Sequence, residues 1–208
     1  MQHGAALARL PVDDQVMALR AVLARNELLV EVLTRAAGLG LPGWYLTAGC
    51  VVQTVWNVVT GRPSGEGIKD YDLFYFDDSD LGWAAENEVI EVGARVFGDL
   101  PVDVEIRNEA RVHLWYEDRF GVPCAPHTST EAAIDSFAAT TCCVGIRLEG
   151  DRWRVYAPHG LADVFTLVVR PNPVLAPRGV YEEKTRRWRA QWPELTVLPW
   201  PEPVIDGR

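Results

Sequence analysis

The chain has 208 residues, of which 48% are hydrophobic, and its 29 acidic and 20 basic side chains leave a formal net charge of −9. That length supports a real core, and the composition excludes disorder. The acidic balance excludes easy attachment to long nucleic acid, which needs a basic face; no apolar run is long enough for a bilayer, and Met1 to Arg9 lacks a secretory leader's pattern, so a cytoplasmic protein is expected.

In chain order, Pro11 to Ala37 reads as helix, with Val16, Leu19, Val22 and Leu23 at helical spacing and Asn26 as a candidate break. "GLGLPG", Gly38 to Gly43, ends it in residues suited to turns. Trp44 to Ala48 is a short strand closed by Gly49, and Cys50 to Val59 a helix whose valines need tertiary packing to hold it. Gly61 to Gly67 is a loop, Tyr71 to Phe76 a strand, Leu81 to Phe97 a helix and Pro101 to Ile106 a strand. Further on, Thr130 to Ala138 reads as helix and Thr141 to Leu148 as strand. Gly150-Asp151 makes a hairpin turn into Trp153 to Tyr156. Ala157 to Phe165 leads into a short helix or turn, and Val180 to Gln191 is the last helix, stopped by Pro193. Its basic stretch, Lys184 to Arg189, reads as a solvated face.

This order predicts an α+β fold with a small mixed sheet flanked by helices. One domain over 1–208 is expected: a helical segment at 1–43, a core at 44–120, and an extension at 121–208 packed on the core. Cys50, Cys124, Cys142 and Cys143 show no CxxC spacing and read as reduced thiols.

Three features carry chemistry. Gly49 opens a helix after a strand, and the unpaired N–H groups of such a helix start suit a phosphate. Asp70 and Asp72 flank Tyr71, so in a strand both carboxylates face one side. Two such charges about 4 Å apart repel by roughly 4 kcal/mol at a protein-surface dielectric, and a divalent cation of the magnesium kind turns that repulsion into ligation. Third, Asp103 and Glu105 alternate with Val102, Val104 and Ile106, so a neighbouring strand brings a further carboxylate to the same face. A half-exposed strand with a polar outer face gives the same alternation.

Together these residues resemble the DNA polymerase beta-type nucleotidyltransferase superfamily. They are similar above all to a bacterial group of nucleotidyltransferase-like proteins with unassigned substrates. The matching segments are Val55-Trp56-Asn57, Asp70 to Asp77, Arg107 to Tyr116 and Ala157 to Phe165, and the likeness spans roughly Trp44 to Trp192.

The resemblance implies a nucleotidyltransferase core that moves a nucleoside monophosphate from a nucleoside triphosphate to a hydroxyl acceptor, a small molecule, an RNA end or a protein. It implies Mg2+ or Mn2+ held by Asp70, Asp72 and Glu105, with Asp103 as the alternative third carboxylate, and triphosphate contacts from Gly49 and the helix after it. Cys50 stands where the superfamily carries Ser or a second Gly, and a thiol is a poor donor to phosphate. Gln53 and Asn57 share a helix face near this point, and Lys69 and Arg107 are candidate phosphate cations. Asn108, Arg111, His113 and Asp163 are candidates for an acceptor site. Trp56, Trp115 and Trp153 are suited to stack on a base, but core packing is the expected role of each. The competing expectation is a catalytically silent nucleotide-binding module, favoured by Cys50. A metal-dependent phosphohydrolase would want more than the four histidines present.

Overall fold

The computed structural model describes residues 2–202, and side chains from Gly4 onward. A short helix α1 (Gln2–Leu7) precedes α2 (Val12–Leu23) and α3 (Glu27–Gly38). The helical stretch expected over Pro11 to Ala37 is two helices, divided at the candidate break Asn26, whose side-chain oxygen accepts from the Leu29 N–H at 3.2 Å and caps α3. Strand β1 (Tyr45–Thr47) leads into α4 (Gly49–Thr60), which is followed by β2 (Asp70–Tyr75), α5 (Trp83–Phe97) and β3 (Asp103–Asn108). A 3-10 turn at Glu109–Leu114 and α6 (Tyr116–Phe120) follow, then α7 (Thr130–Ile134) and a second 3-10 turn at Thr140–Cys142. The hairpin β4 (Gly145–Glu149) and β5 (Arg152–Tyr156) is followed by α8 (Ala162–Phe165), β6 (Val168–Val169), α9 (Arg178–Gln191) and β7 (Thr196–Val197).

The main sheet has five strands in the order β3-β2-β1-β4-β5. Only β2 and β3 pair in parallel, because α5 carries the chain back between them; the other neighbours are antiparallel. The sheet is therefore mixed, as an α+β chain requires. Two elements are shorter than their sequence patterns. Helix α7 stops at Ile134, and the expected strand over Thr141 to Leu148 begins only at Gly145. The Thr141 hydroxyl instead donates to Val168 O, which ties the second 3-10 turn to β6.

Along β2, Tyr71, Leu73 and Tyr75 are buried while Asp70, Asp72 and Phe74 are half-exposed. The apolar set packs into a core that runs from Leu19 to Leu195 and includes α4, whose valines are all buried. Close approach matters at Gly93 of α5, where a Cβ would collide with the Ile106 side chain of β3.

The far end of α4 is braced by a side chain that the sequence pattern placed near a nucleotide. Asn57 is fully buried and far from any opening; its amide donates to Ser64 O and Glu66 O, and its oxygen accepts from the Trp192 indole N–H at 2.7 Å. It pins the loop before β2 to the end of α9. Trp56 lies beside it, edge-on to Trp188 and Trp192. Replacing Asn57 by Ala leaves the buried Trp192 indole and two part-buried carbonyls without partners, so chemical denaturation should reveal a loss of about 3 kcal/mol. A loss below about 1 kcal/mol would mean that the network is not what holds the loop.

Candidate active site

A cavity of about 540 Å³ opens on the polar face of β2 and β3. Its floor holds Asp70, Asp72, Phe74, Glu105 and Arg107. The parallel register sets Asp72 opposite Glu105 and Asp70 opposite Asp103, so alternation along two neighbouring strands gathers the acids on one face. Glu105 lines the cavity, whereas Asp103 is exposed at the outer end of β3.

The acids differ in their surroundings. Asp70 accepts from the Lys69 ammonium at 3.0 Å, and Glu105 from the Arg107 guanidinium at 2.6 Å. Asp72 has no such cation among the described residues. Burial, then the charges of Asp70 and Glu105, push it up to about 7 from an ordinary 3.8. Among the described residues, no three His, Cys, Asp or Glu side chains are gathered closely enough to hold a metal as they stand.

The start of α4 forms another part of the wall, with Ala48, Gly49 and Gln53. Ala48 adopts φ 57°, ψ −129°, a left-handed backbone region that costs a side-chain-bearing residue on the order of 1–3 kcal/mol. The strained turn places the start of α4 in the same cavity as the carboxylates. Cys50 is fully buried, with its thiol donating to Thr47 O at 3.2 Å, so its side chain takes no part in the cavity. Burial lifts that thiol well above its ordinary range.

Several expected contributors sit elsewhere. Asn108 accepts from the Asp77 N–H and donates to Asp77 O, clamping the loop after β2. Arg111 is buried against Glu86 and donates to Leu81 O. Asp163 pairs with Arg170 at 3.0 Å. His113 lies behind the wall with its Nδ1 buried and without a partner. Lys69 is exposed beside the cavity rather than lining it. None of the four candidate acceptor residues lines the cavity: Asn108 ends β3, Arg111 and His113 follow it in the 3-10 turn, and Asp163 lies on α8.

The cavity draws instead on residues to which the sequence pattern gave other roles or none. Lys184, Arg187 and Trp188 of α9 line it, so the basic run is split, with Arg186 and Arg189 facing a separate groove. A spacing of i, i+3 and i+4 ending on a buried tryptophan was the available signal. Glu109, Trp115, Tyr116, Phe120 and His127 form a further part of the wall. Trp115 was expected in the core, yet it is 39% exposed and faces the cavity. Glu109 is buried, and burial followed by the Asp72 charge pushes it up to about 8.

No helix among the described residues is long and apolar enough to cross a membrane. No curated protein sequence matches the chain. Among solved structures, the fold is similar to one described as an NMR structure revealing a CCA-adding enzyme head domain, at 23% identity and a TM-score of 0.67, covering 83% of this chain and 90% of that one. A family model described as nucleotidyltransferase matches residues 34–197, from α3 to β7, and so includes every wall of the cavity. The chain therefore belongs to a nucleotidyltransferase family.

Proposed function

We propose that the protein moves a nucleoside monophosphate from a nucleoside triphosphate to a hydroxyl acceptor, with divalent metal bound at Asp70, Asp72 and Glu105. The observation that carries this reading is Asp72: a carboxylate desolvated at the floor of a cavity between two like charges, without an ion-pair partner among the described residues and only partly offset by Lys184 and Lys69. A purely structural strand end has no use for that cost. The donor set fits a hard cation such as Mg2+ or Mn2+, since all three groups are carboxylates on one face. When bound, the metal supplies charge neutralisation at the phosphate oxygens and acidity to an acceptor hydroxyl.

The chain's own groups do the rest. The N–H groups at Gly49 and the Gln53 amide face the phosphates, in keeping with a helix N-terminus. Lys184 and Arg187 supply the cationic side of the same cavity. Holding a metal, Asp70 and Glu105 would no longer need Lys69 and Arg107 as partners, and Arg107 would be available to the triphosphate. Glu105 lies at the edge of this cluster and is suited to take the acceptor proton. Transfer then depends mainly on alignment and fixed charge.

The test combines thermal unfolding with pyrophosphate release, using Mg2+ or Mn2+ and each nucleoside triphosphate. A triphosphate at about 100 times its Kd adds roughly 2.7 kcal/mol, or about 5–11 °C for a chain of this size. Lys184→Ala and Arg187→Ala should each weaken triphosphate binding about tenfold without lowering the unliganded Tm, consistent with the loss of one charge-assisted contact. The inward-facing Cys50 thiol favours a second reading, nucleotide binding without transfer. A thermal shift with no pyrophosphate released against any acceptor panel supports that second reading. No shift with any triphosphate sinks both.

A further inference from the structure

The cavity has two walls of different chemistry. One carries charge, from Lys184, Arg187 and the start of α4. The other is formed by the segment after β3 and is mainly aromatic, its rings tilted 39–52° to one another. Trp115, Tyr116 and Phe120 lie there with ring centroids 4.6–6.4 Å apart. His127 is half-buried, and burial lowers its proton affinity further. Arg119 lies over Phe120, 5.5 Å from its centroid.

Glu109 sits in this second wall at 5% exposure. Its backbone is fixed by the Asn108 cap, which accepts from the Ala110 N–H at 3.2 Å and holds Asp77 at the same time. The Glu109 carboxyl takes part in no ion pair or side-chain hydrogen bond among the described residues. The charge of Asp72 bears on it unfavourably, and Arg107, the cation that favours its ionised form, is paired with Glu105. A lone buried carboxylate costs several kcal/mol, so the neutral acid is the form that fits. A neutral carboxyl presents one O–H donor beside one carbonyl acceptor. Its complement is a planar edge with an acceptor beside an N–H donor, the edge of an amide or amidine within a ring.

We propose that Glu109 and the Trp115–Tyr116–Phe120 wall form a binding site for a flat, uncharged nitrogen heterocycle of the nucleobase type, with Glu109 reading its donor–acceptor edge. The source of the ring rests on the nucleotidyl-transfer reading: it is either the base of the triphosphate donor or a ring of the acceptor. The recognition itself does not depend on transfer. Stacking on aromatic rings is tolerant of ring identity, whereas the carboxyl rejects an edge whose donor is blocked.

The experiment is an NMR titration of the metal-free protein with two nucleoside pairs, uridine with N3-methyluridine and adenosine with N6,N6-dimethyladenosine. In at least one pair the unblocked nucleoside should bind about fivefold or more tighter, the discrimination expected from one good hydrogen-bonded edge. Glu109→Gln keeps a donor beside an acceptor and should keep the preference. Glu109→Leu should erase it. Phe120→Ala should weaken both members of a pair alike, which covers the case in which the leucine variant does not fold. Adding a nucleoside triphosphate with Mg2+ identifies the source: displacement of the nucleoside assigns the ring to the donor, and simultaneous binding assigns it to the acceptor. Equal binding within both pairs, undiminished preference in a folded Glu109→Leu, or no nucleoside binding at all overturns the proposal. Loss of the preference in Glu109→Gln overturns the neutral carboxyl. None of the arms that can overturn the proposal uses metal or turnover, so failure here is separate from failure of the transfer reading.

Discussion

Asp72→Asn should abolish metal-dependent transfer and, in the same protein without metal, raise the melting temperature. The two effects share one cause. With a native value of about 7 against an ordinary 3.8, Asp72 opposes folding wherever both states are ionised. Three pH units correspond to about 4 kcal/mol as an upper figure, so a gain on the order of 2–4 kcal/mol is expected at pH 8. Activity should fall by about a thousandfold or more, as expected when a group that holds transition-state charge is lost. Asp70→Asn is the control. It should lose activity comparably but gain little stability, because Asp70 is half-exposed and already paired with Lys69. Scanning calorimetry of the metal-free variants beside a pyrophosphate assay measures both. If Asp72→Asn destabilises the metal-free protein, the carboxylate has a structural partner and the metal reading loses its main support.

Without metal, stability should fall as pH rises from about 4 to 8. The unfolded Asp72 releases its proton near 3.8 and the native one near 7; for Glu109 the corresponding values are 4.5 and about 8. Between each pair of values the native state binds more protons, so each rise in pH favours unfolding. The stabilising contribution is complete below the unfolded value and lost once pH passes the native one. Together the two groups should cost several kcal/mol across this window. Saturating Mg2+ should flatten the Asp72 part, with protons released on binding near pH 6, and leave only the burial share of the Glu109 part, because the Asp72 charge supplies the rest. Urea unfolding at half-unit pH steps, with and without Mg2+, separates them. A metal-free stability that rises between pH 5 and 8 would show that neither carboxyl is buried at a cost.

Much of the carboxylate site was legible from local pattern. Alternation in Asp70-Tyr71-Asp72 and in Asp103-Val104-Glu105 determines which side chains share a face once those residues are strands. Asn26 carried the signature of a helix break, and Gly49 that of a helix start. The choice between Asp103 and Glu105 was not local. It depends on the β2–β3 register, which places Glu105 in the cavity and leaves Asp103 at the outer end.

The candidate acceptor residues that lie outside the cavity share a reason. Asn108, Arg111 and Asp163 are polar groups close to the acids in sequence or in a matching segment, but their partners, Asp77, Glu86 and Arg170, come from other elements. Conversely, Lys184 and Arg187 lie far from the acids along the chain. They reach them because Trp188 and Trp192 of the C-terminal region anchor against Trp56 of α4. Periodicity shows that a helix has faces and not which neighbour a face meets.

By itself, then, the sequence determined the strand and helix order of the core, the shared face of Asp70 and Asp72, and the start of α4, because each follows from backbone period and local turn chemistry. Tertiary structure alone decided that Glu105 and not Asp103 lines the cavity with Asp70 and Asp72, that half of a basic helix faces it, and that Glu109 is buried in the same cavity as three aromatic rings. Those outcomes depend on strand register and on long-range packing, which couple residues that no local pattern connects.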